Sequence, residues 1–396
     1  MDASSPLAGA LAQAPSSLRG TLGKIAQIRL TPLGLRFQVP YHWAGRLDLG
    51  ASAVLIEVKT DQGLVGIAEA APDFDVSAVL GLLQSAAPQF VGQSPFAMQE
   101  CLALARLRGG LSSSPRLGNV ALAGLEMALW DAIGKAAGAP VYELFGGACR
   151  ETVDYFGFLQ GDTAEELVAD AQRMVVAGYT VIYMKVGRGE ALDLANVAAV
   201  REVIGDRCLR LDANEAWDTY SAIRMIKKLE PFDPDWIEQP TPAHSLAALR
   251  QVKEAVSVAL AADQAAYTTN DVYEICRQRA ADAIVISPHE AGGLLAFRKV
   301  AAIAEAAGVP LCLHGRFVTG ITDLIQHHAA LTLRNLTDGN QIMHQLLVRD
   351  IVARPDLTPQ AGKLGLVEGP GFGFELDWDA VGQAAEIYRE ALSRDR

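Results

Sequence analysis

Four ionisable residues in the middle of the chain each close a short apolar run. The runs VIYMK, LRLD, WIE and LAAD end in Lys185, Asp212, Glu238 and Asp263. Such runs, bounded by polar residues, are typical of strands buried on both faces. The acids repeat at intervals of 26 and 25 residues, the length of one strand, one loop and one helix, and helical patterns fill the intervals. The spacing predicts consecutive parallel strands of a βα barrel.

The three acids are expected to meet at one end of this barrel, because all its parallel strands end on the same face. Converging carboxylates repel one another unless a cation lies between them, and hard oxygen ligands favour Mg²⁺ or Mn²⁺ over zinc. A single acid at a strand end more often caps a helix, but three at one repeat favour a metal site. The sequence therefore predicts that Asp212, Glu238 and Asp263 bind a divalent cation, with Lys185 on the preceding strand.

These motifs resemble those of the enolase superfamily, and more narrowly its mandelate racemase and muconate lactonizing branch. A lysine ends one strand, DAN the next, EQP the third and AD the fourth, and the resemblance extends from about Ile25 to Tyr388. It implies an α/β fold, a modified TIM barrel of the (β/α)7β type with an α+β capping domain. It also implies that the three acids bind one Mg²⁺, with Mn²⁺ as an alternative, and that the metal holds the substrate carboxylate.

The same resemblance divides the chain into four parts. Residues 1–22, rich in Ala, Ser and Pro, are expected to form a loose tail. Residues 23–148 are the predicted capping domain, residues 149–365 the predicted barrel, and residues 366–396 a segment that returns to the cap.

Two stretches of the predicted cap bear on the site. Two strands flank a turn at 61–63, and before them a long loop, 39–50, occupies the position of a flexible loop that closes over the barrel in the resembling family. His42 and Trp43 in this loop are expected to contact the substrate, the alternative being an ordinary surface loop. The clearest helix begins near residue 119, and its pattern places Glu126 and Asp131 on a polar side, which predicts a structural role.

Lys185 matches the lysine that acts as a base in the resembling family. Tyr183 lies two residues earlier on the same strand, so both side chains should face the barrel interior. Tyr183 replaces a lysine that commonly helps to neutralise the substrate carboxylate, and we expect it to donate a hydrogen bond there. Burial and a nearby metal cation are expected to lower the pKa of Lys185 into the range of a useful base.

His314 follows the predicted seventh strand, and its spacing from Pro310 resembles the racemase and acid-sugar dehydratase members, in which this histidine faces the substrate opposite the lysine. The aspartate that usually pairs with it is replaced by Ser287. Ser287 or Asn214 is therefore expected to orient His314, with a lower pKa than an aspartate would produce.

The neighbours of Ser287 leave alternatives open. His289 or Glu290 could substitute for the missing acid, although loop or helix-cap roles fit them equally. Asn214, Ser287 and Arg316 are expected to contact substrate. The eighth strand is predicted around 341–346.

The resemblance implies removal of a proton next to a carboxylate to give an enediolate. Dehydration of a hydroxy or sugar acid is favoured, because a single histidine acid needs no strong second base. Racemisation, epimerisation and cycloisomerisation remain alternatives. A carboxylate-binding protein without turnover is the alternative from another class.

Composition limits the partners. The chain has 396 residues, 50% hydrophobic, with a net charge of −12, which argues against nucleic acid and anionic membranes. Its start lacks the features of a signal peptide, and no apolar run is long enough to span a bilayer. The five scattered cysteines predict reduced thiols and a cytoplasmic location. The expected partner is a small carboxylate, and the resemblance implies a homo-oligomer.

Overall fold

The structure is a computed structural model that describes residues 18–43, 46–72 and 76–394. Its first part is an antiparallel sheet of β1 (Ile25–Trp43), β2 (Arg46–Thr60) and β3 (Val65–Ala70), with the predicted turn at 61–63 between β2 and β3. The predicted loop 39–50 is instead a continuation of the β1–β2 hairpin. Consecutive residues keep pairing beyond a register shift, with Tyr41 opposite Asp48 and His42 opposite Leu47. Residues 44–45 lie outside the described ranges.

The helices of this part are α1 (Leu18–Leu22), α2 (Val76–Ala86), α3 (Met98–Arg108), α4 (Pro115–Ala137) and α5 (Val141–Leu144). Of these, α2 and α4 pack against the sheet.

The central helix, α4, is buried along most of its length between the sheet and the barrel. Glu126 and Asp131 are therefore buried, so the side of the helix that the pattern marked as polar does not face solvent. The prediction of a loose tail over 1–22 is also wrong for 18–22, which form α1 with Leu22 in the core. Residues 1–17 lie outside the described ranges.

Seven parallel strands form the barrel wall in sequence order, each hydrogen-bonded to the next. They are β5 (Gly157–Phe158), β6 (Val181–Lys185), β7 (Cys208–Asp212), β8 (Trp236–Glu238), β9 (Ala259–Ala262), β10 (Ala283–Ile286) and β11 (Leu311–Leu313). A short strand before them, β4 (Thr152–Asp154), pairs outside the barrel with a later antiparallel strand at Lys363–Gly365. The fold class predicted from the sequence is confirmed.

Helices follow the strands and, apart from the short buried helix at Pro288–Ala291, form the outer layer. They are α6 (Ala164–Val176), α7 (Glu190–Ile204), α8 (Thr219–Leu229), α9 (Leu246–Ala255), α10 (Thr269–Gln278), α11 (Pro288–Ala291), α12 (Leu294–Ala306) and α13 (Gly320–Leu331).

The segment 336–341 closes the barrel between β11 and the start of β5. Leu336 bridges Leu311, and Asn340 bridges Tyr155, both in parallel. The eighth strand predicted at 341–346 is therefore displaced, because residues 344–346 form a 3₁₀ turn.

The C-terminal part returns to the cap. Strands β12 (Val352–Arg354), β13 (Lys363–Gly365) and β14 (Glu375–Leu376) precede α14 (Trp378–Arg394). Helix α14 packs against β1, and the hydroxyls of Tyr388 and Ser77 lie 3.1 Å apart. Within the described ranges, no helix is long and apolar enough to cross a membrane.

Candidate active site

The four ionisable residues that end the apolar runs lie in one row along the barrel mouth. Lys185 pairs with Asp212 across β6 and β7, and Asp212 pairs with Glu238 across β7 and β8. Asp263 follows the last residue of β9, the next strand. We call Asp212, Glu238 and Asp263 the acid row. All three are almost completely buried, so their mutual repulsion is weakly screened.

Lys185 lies at the Asp212 end of the acid row. Its Nζ is 2.6 Å from Asp212 Oδ2 and donates to the Tyr183 hydroxyl at 3.2 Å. The Tyr183 hydroxyl in turn donates to Asp212 Oδ2, and it lies 3.3 Å from Glu238 Oε1. Tyr183 is therefore occupied by the acids, as well as lining the cavity above them.

The expected lowering of the Lys185 pKa rested on a neighbouring metal cation, and the protein groups by themselves act in the opposite direction. Burial disfavours the ammonium, but the attraction of Asp212, Tyr41 and Glu238 outweighs it and raises the pKa of Lys185 above its ordinary value. The sequence could not show this outcome, because it depends on how closely Lys185 approaches Asp212.

The other two acids of the row hold protons more tightly than ordinary carboxyls. Burial, together with the charges of Asp212 and Asp263, raises the pKa of Glu238 well above its usual range. Burial also raises the pKa of Asp263 to about 7, against the opposing attraction of His314. Among the described residues, Glu238 Oε2 and Asp263 Oδ1 have no hydrogen-bond partner. The row therefore has buried carboxyl oxygens that lack a hydrogen-bond partner in the described part of the chain.

His314 lies at the opposite end of the acid row. Its Nδ1 is hydrogen-bonded to Glu290 Oε1 and lies 3.6 Å from Asp263 Oδ1. Burial would lower the pKa of His314, but Asp263 and Glu290 together raise it to about 10, so the imidazolium is favoured. The expectation that Ser287 or Asn214 orients His314 with a lower pKa is therefore wrong.

Glu290 is the acid that the sequence left undecided. Oε1 also accepts from Arg316 Nη1 at 3.2 Å, and Oε2 accepts from the Ser287 backbone N–H at 2.6 Å. Burial opposes its ionisation, but the charges of His314 and Arg316 lower its pKa to about 2. Glu290 is therefore an ionised carboxylate with both oxygens occupied.

A capping motif at the start of α11 positions Glu290 in the site. Ser287 is the N-cap of this helix, and the Ser287 hydroxyl accepts from Glu290 N–H while Glu290 accepts from Ser287 N–H. This reciprocal arrangement is a capping box, and the sequence Ser-Pro-His-Glu directly after a strand is its signal. Ser287 itself is fully buried and does not line the cavity, so the structure does not place it in contact with a substrate.

A cavity of about 580 Å³ opens above the acid row. Its aromatic wall consists of Tyr41, Phe158 and Phe317; Tyr41 stacks on Phe158 at 5.3 Å and meets Phe317 edge-on at 5.1 Å. Trp43 lines it as well. His42 instead lines two neighbouring pockets, with Nδ1 3.7 Å from Asp162, so the structure does not place it in this cavity.

Asn214 and Arg316, the two residues predicted to contact substrate near the strand ends, both line the cavity. Asn214 adopts a positive φ of 42°, and its backbone N–H donates to Asp212 Oδ1 at 2.8 Å. Its side-chain Oδ1 is buried and has no partner within the described part of the chain. Arg316 is buried and donates to Tyr267 OH at 2.9 Å and to Ala71 O at 3.1 Å.

Two groups of residues could hold a metal ion. Ligand atoms of Asp263, Glu290 and His314 lie within 4.8 Å of one another. The acid row also fits a hard divalent cation, because it offers oxygen ligands only and two of its buried oxygens, Glu238 Oε2 and Asp263 Oδ1, lack partners among the described residues. A cation between the three carboxylates would also remove the repulsion that raises the pKa of Glu238.

Comparisons with known proteins agree with this architecture. Residues 27–146 match the family model for the mandelate racemase / muconate lactonizing enzyme N-terminal domain, and residues 166–380 match the enolase C-terminal domain-like model. The chain is 31% identical to muconate cycloisomerase 1-1 of Acinetobacter lwoffii, over 84% of this chain and 88% of the relative. It is 28% identical to the L-Ala-D/L-Glu epimerase of Bacillus subtilis (strain 168), over 88% and 96%.

The structural comparison gives the same result. Muconate lactonizing enzyme from Pseudomonas fluorescens, complexed with muconolactone, matches with a TM-score of 0.84 and 29% identity, covering 92% of this chain and 99% of that one. The chain belongs to the mandelate racemase and muconate lactonizing branch of the enolase superfamily, as its motifs predicted. It is an enzyme of the isomerase or lyase type, and enzymes of this type are metal dependent.

Proposed function

We propose that the protein removes the proton next to the carboxylate of a small acid, assisted by Mg²⁺, and returns a proton to the opposite face. The reaction is then a racemisation or an epimerisation. The observation that carries the proposal is the placement of two proton-transfer groups at opposite ends of the acid row. Lys185 is bonded to Asp212, the first acid, and His314 lies beside Asp263, the last.

Asp212, Glu238 and Asp263 would hold the metal. Bound Mg²⁺ would stabilise the negative charge that develops on the substrate carboxylate when the proton leaves. The acid row supplies oxygen ligands only, which supports Mg²⁺, with Mn²⁺ as the alternative.

The protonation states of the two groups determine which face is attacked. One form of the enzyme has neutral Lys185, which accepts the α-proton, and imidazolium His314, which donates to the other face. The reverse form has an ammonium at Lys185 and a neutral imidazole, and it acts on the opposite stereoisomer. The bond to Glu290 favours the imidazolium that donates in the first form, and the bond to Asp212 favours the ammonium that donates in the reverse form.

The cavity wall supports a substrate with an apolar or aromatic part. Tyr41, Phe158 and Phe317 present aromatic rings to the space above the acid row. Apolar surface of the substrate buried there would contribute about 25 cal/mol per Å².

Dehydration is the second candidate, and the imidazolium of His314 favours it. An imidazolium beside the cavity can protonate a departing β-hydroxyl after Lys185 has removed the α-proton. The same residues therefore serve both reactions, and the substrate determines the product.

Proton NMR in D₂O distinguishes these reactions. A panel of α-hydroxy, N-acyl amino and sugar acids, with cis,cis-muconate included, is incubated with enzyme and Mg²⁺. Loss of an α-proton signal with formation of the other stereoisomer supports the proposal. A keto acid would establish dehydration, and a lactone would establish cycloisomerisation. Exchange that persists in Lys185→Ala and in His314→Asn for both stereoisomers would refute the two-group mechanism.

Metal binding is tested separately by calorimetry with Mg²⁺. Asp212→Asn and Glu238→Gln should each weaken affinity at least tenfold, because each removes a charged ligand. The matched control is Asp170→Asn, a buried aspartate of the helix α6 that is bonded to Arg173 and the Gln160 backbone. Unchanged affinity in both acid-row variants would exclude this site as the metal site. A panel without any exchange, despite bound metal, would favour a carboxylate-binding protein without turnover.

A further inference from the structure

The cap helix α4 contacts the barrel at the segment that carries Glu290. Asn119 of α4 donates from Nδ2 to the Glu290 backbone carbonyl at 2.7 Å. Its Oδ1 accepts from Arg106 Nη2 of α3 at 3.0 Å. Because a guanidinium can only donate, this second bond fixes which end of the amide faces Glu290. Asn119 is 3% exposed; its bond to the Glu290 carbonyl is buried, and its bond to Arg106 is partly buried.

A second contact from the same helix lies two turns further on. Glu126 Oε1 accepts from the backbone N–H of Leu295 at 3.0 Å, in the first turn of α12. The N-cap of α12 is Gly293, which has no side chain to satisfy the free N–H groups there. Glu126 therefore caps a barrel helix from the other domain. Together, Asn119 and Glu126 hold both ends of the short stretch 290–295.

The turn between these contacts is built for close approach. Gly292 and Gly293 have φ values of 96° and 119°, where residues with a Cβ are strained. A Cβ on Gly293 would overlap Oε2 of Glu126, and a Cβ on Gly292 would lie 3.0 Å from Asn119 Oδ1. Helix α4 therefore packs directly against the turn, so the position of α4 affects the position of the Glu290 backbone.

We infer that α4 is the positioning element of the His314 end of the active site, acting through Asn119 and Glu126 on Glu290. The Lys185 end is held differently. Lys185 is bonded to Tyr183 and Asp212 on barrel strands, and the cap reaches it through Tyr41 of β1. Loss of the Asn119 contact should therefore impair one proton-transfer group and spare the other.

The first test needs no substrate and does not depend on the proposed reaction. Enzyme labelled with ¹⁵N-histidine is examined by NMR at one fixed pH, and the His314 ring signals are assigned with His314→Asn. We expect Asn119→Asp to shift or broaden these signals. The aspartate retains an oxygen that accepts from Arg106. Its second oxygen faces the Glu290 carbonyl, and because neither oxygen donates, the hydrogen bond to Glu290 is lost. Signals of His327 and His328, which bond to other groups, should stay in place.

Glu126 supplies a second pair of variants. Glu126→Leu removes the cap of α12 and should also move the His314 signals, whereas Glu126→Gln retains an acceptor oxygen and should restore them. The matched control is Asp131→Asn on the same helix. Asp131 binds the backbone N–H of Ile67 and Phe372 within the cap, so its loss should lower Tm without moving the His314 signals.

The second test rests on the proposed function. Exchange of the α-proton in D₂O is followed separately for the two stereoisomers of an acid that the wild-type enzyme exchanges. Asn119→Asp should slow exchange of the stereoisomer facing His314 at least tenfold and the other less than twofold. Equal slowing of both, or unmoved His314 signals in a folded variant, would overturn the inference. If the wild-type enzyme exchanges neither stereoisomer, the proposed function fails while the NMR test still decides this inference.

Discussion

Glu126 gives a prediction about stability that can be worked out from its surroundings. The carboxyl is fully buried, and burial raises its pKa to about 7 from an ordinary value of 4.5, against hydrogen bonds from Leu295 and Trp130 that favour the ion. A raised carboxyl pKa means that the folded state binds the proton more tightly than the unfolded state. This contribution to stability is fully present below pH 4.5 and is lost as the pH rises through 7.

The perturbation is Glu126→Gln, which removes this titration and retains an acceptor for Leu295. Between pH 5 and pH 8 the wild-type protein should lose about 2.5 kcal/mol relative to the variant, from ~1.4 kcal/mol per pKa unit. The new amide N–H₂ replaces an oxygen without a partner, and an unsatisfied buried group costs ~1–3 kcal/mol. That cost is independent of pH, so it cancels when the two pH values are compared.

The assay is thermal unfolding of both proteins at pH 5 and pH 8. For 396 residues, an unfolding entropy of ~2.1 cal/mol/K per residue converts 2.5 kcal/mol into about 3 °C. The difference in Tm, wild type minus variant, should therefore be about 3 °C smaller at pH 8. All other titrating groups are common to both proteins. A difference that is constant with pH would refute the reasoning, and an increase would show that the ionised form is favoured by the start of α12.

Two further substitutions test the same region. Gly293→Ala should lower Tm for two reasons: a positive φ costs ~1–3 kcal/mol for a residue with a Cβ, and the added methyl would overlap Glu126. The control is Gly308→Ala. Gly308 has a φ of 69° but open space around it, so this variant measures the backbone strain without the overlap. Glu290→Gln should lower the pKa of His314, because it removes one of the two carboxylates that raise it. The pKa is measured by NMR titration of the imidazole. A value that stays near 10 in the variant would assign the effect to Asp263 alone.

The position of the acid row could be predicted from the sequence because it depends on periodicity. One strand-loop-helix unit brings each acid to the same barrel face, so the intervals between Asp212, Glu238 and Asp263 sufficed to place them together. Lys185 followed from the strand before. No knowledge of side-chain packing is needed for this inference, only the rule that parallel strands in a barrel end on one side.

The partner of His314 could not be settled in the same way. Ser287 and Glu290 form a capping box whether or not Glu290 also contacts a histidine, so the motif alone leaves the second role open. The charge state of Lys185 was beyond the sequence as well, because it depends on a contact of 2.6 Å with Asp212. The buried position of Glu126 was missed because the pattern of one helix does not reveal what packs against its second side.

The capping box at the start of α11 has a consequence for the cost of organising the site. Fixing a glutamate side chain in one rotamer costs up to ~2 kcal/mol of conformational entropy. Here one oxygen of Glu290 is tied to the backbone of its own helix, so that cost is met during folding rather than when a substrate arrives. The other oxygen is then presented to His314 in advance. Preorganisation of this kind leaves more of the substrate's binding energy for lowering the barrier to proton transfer.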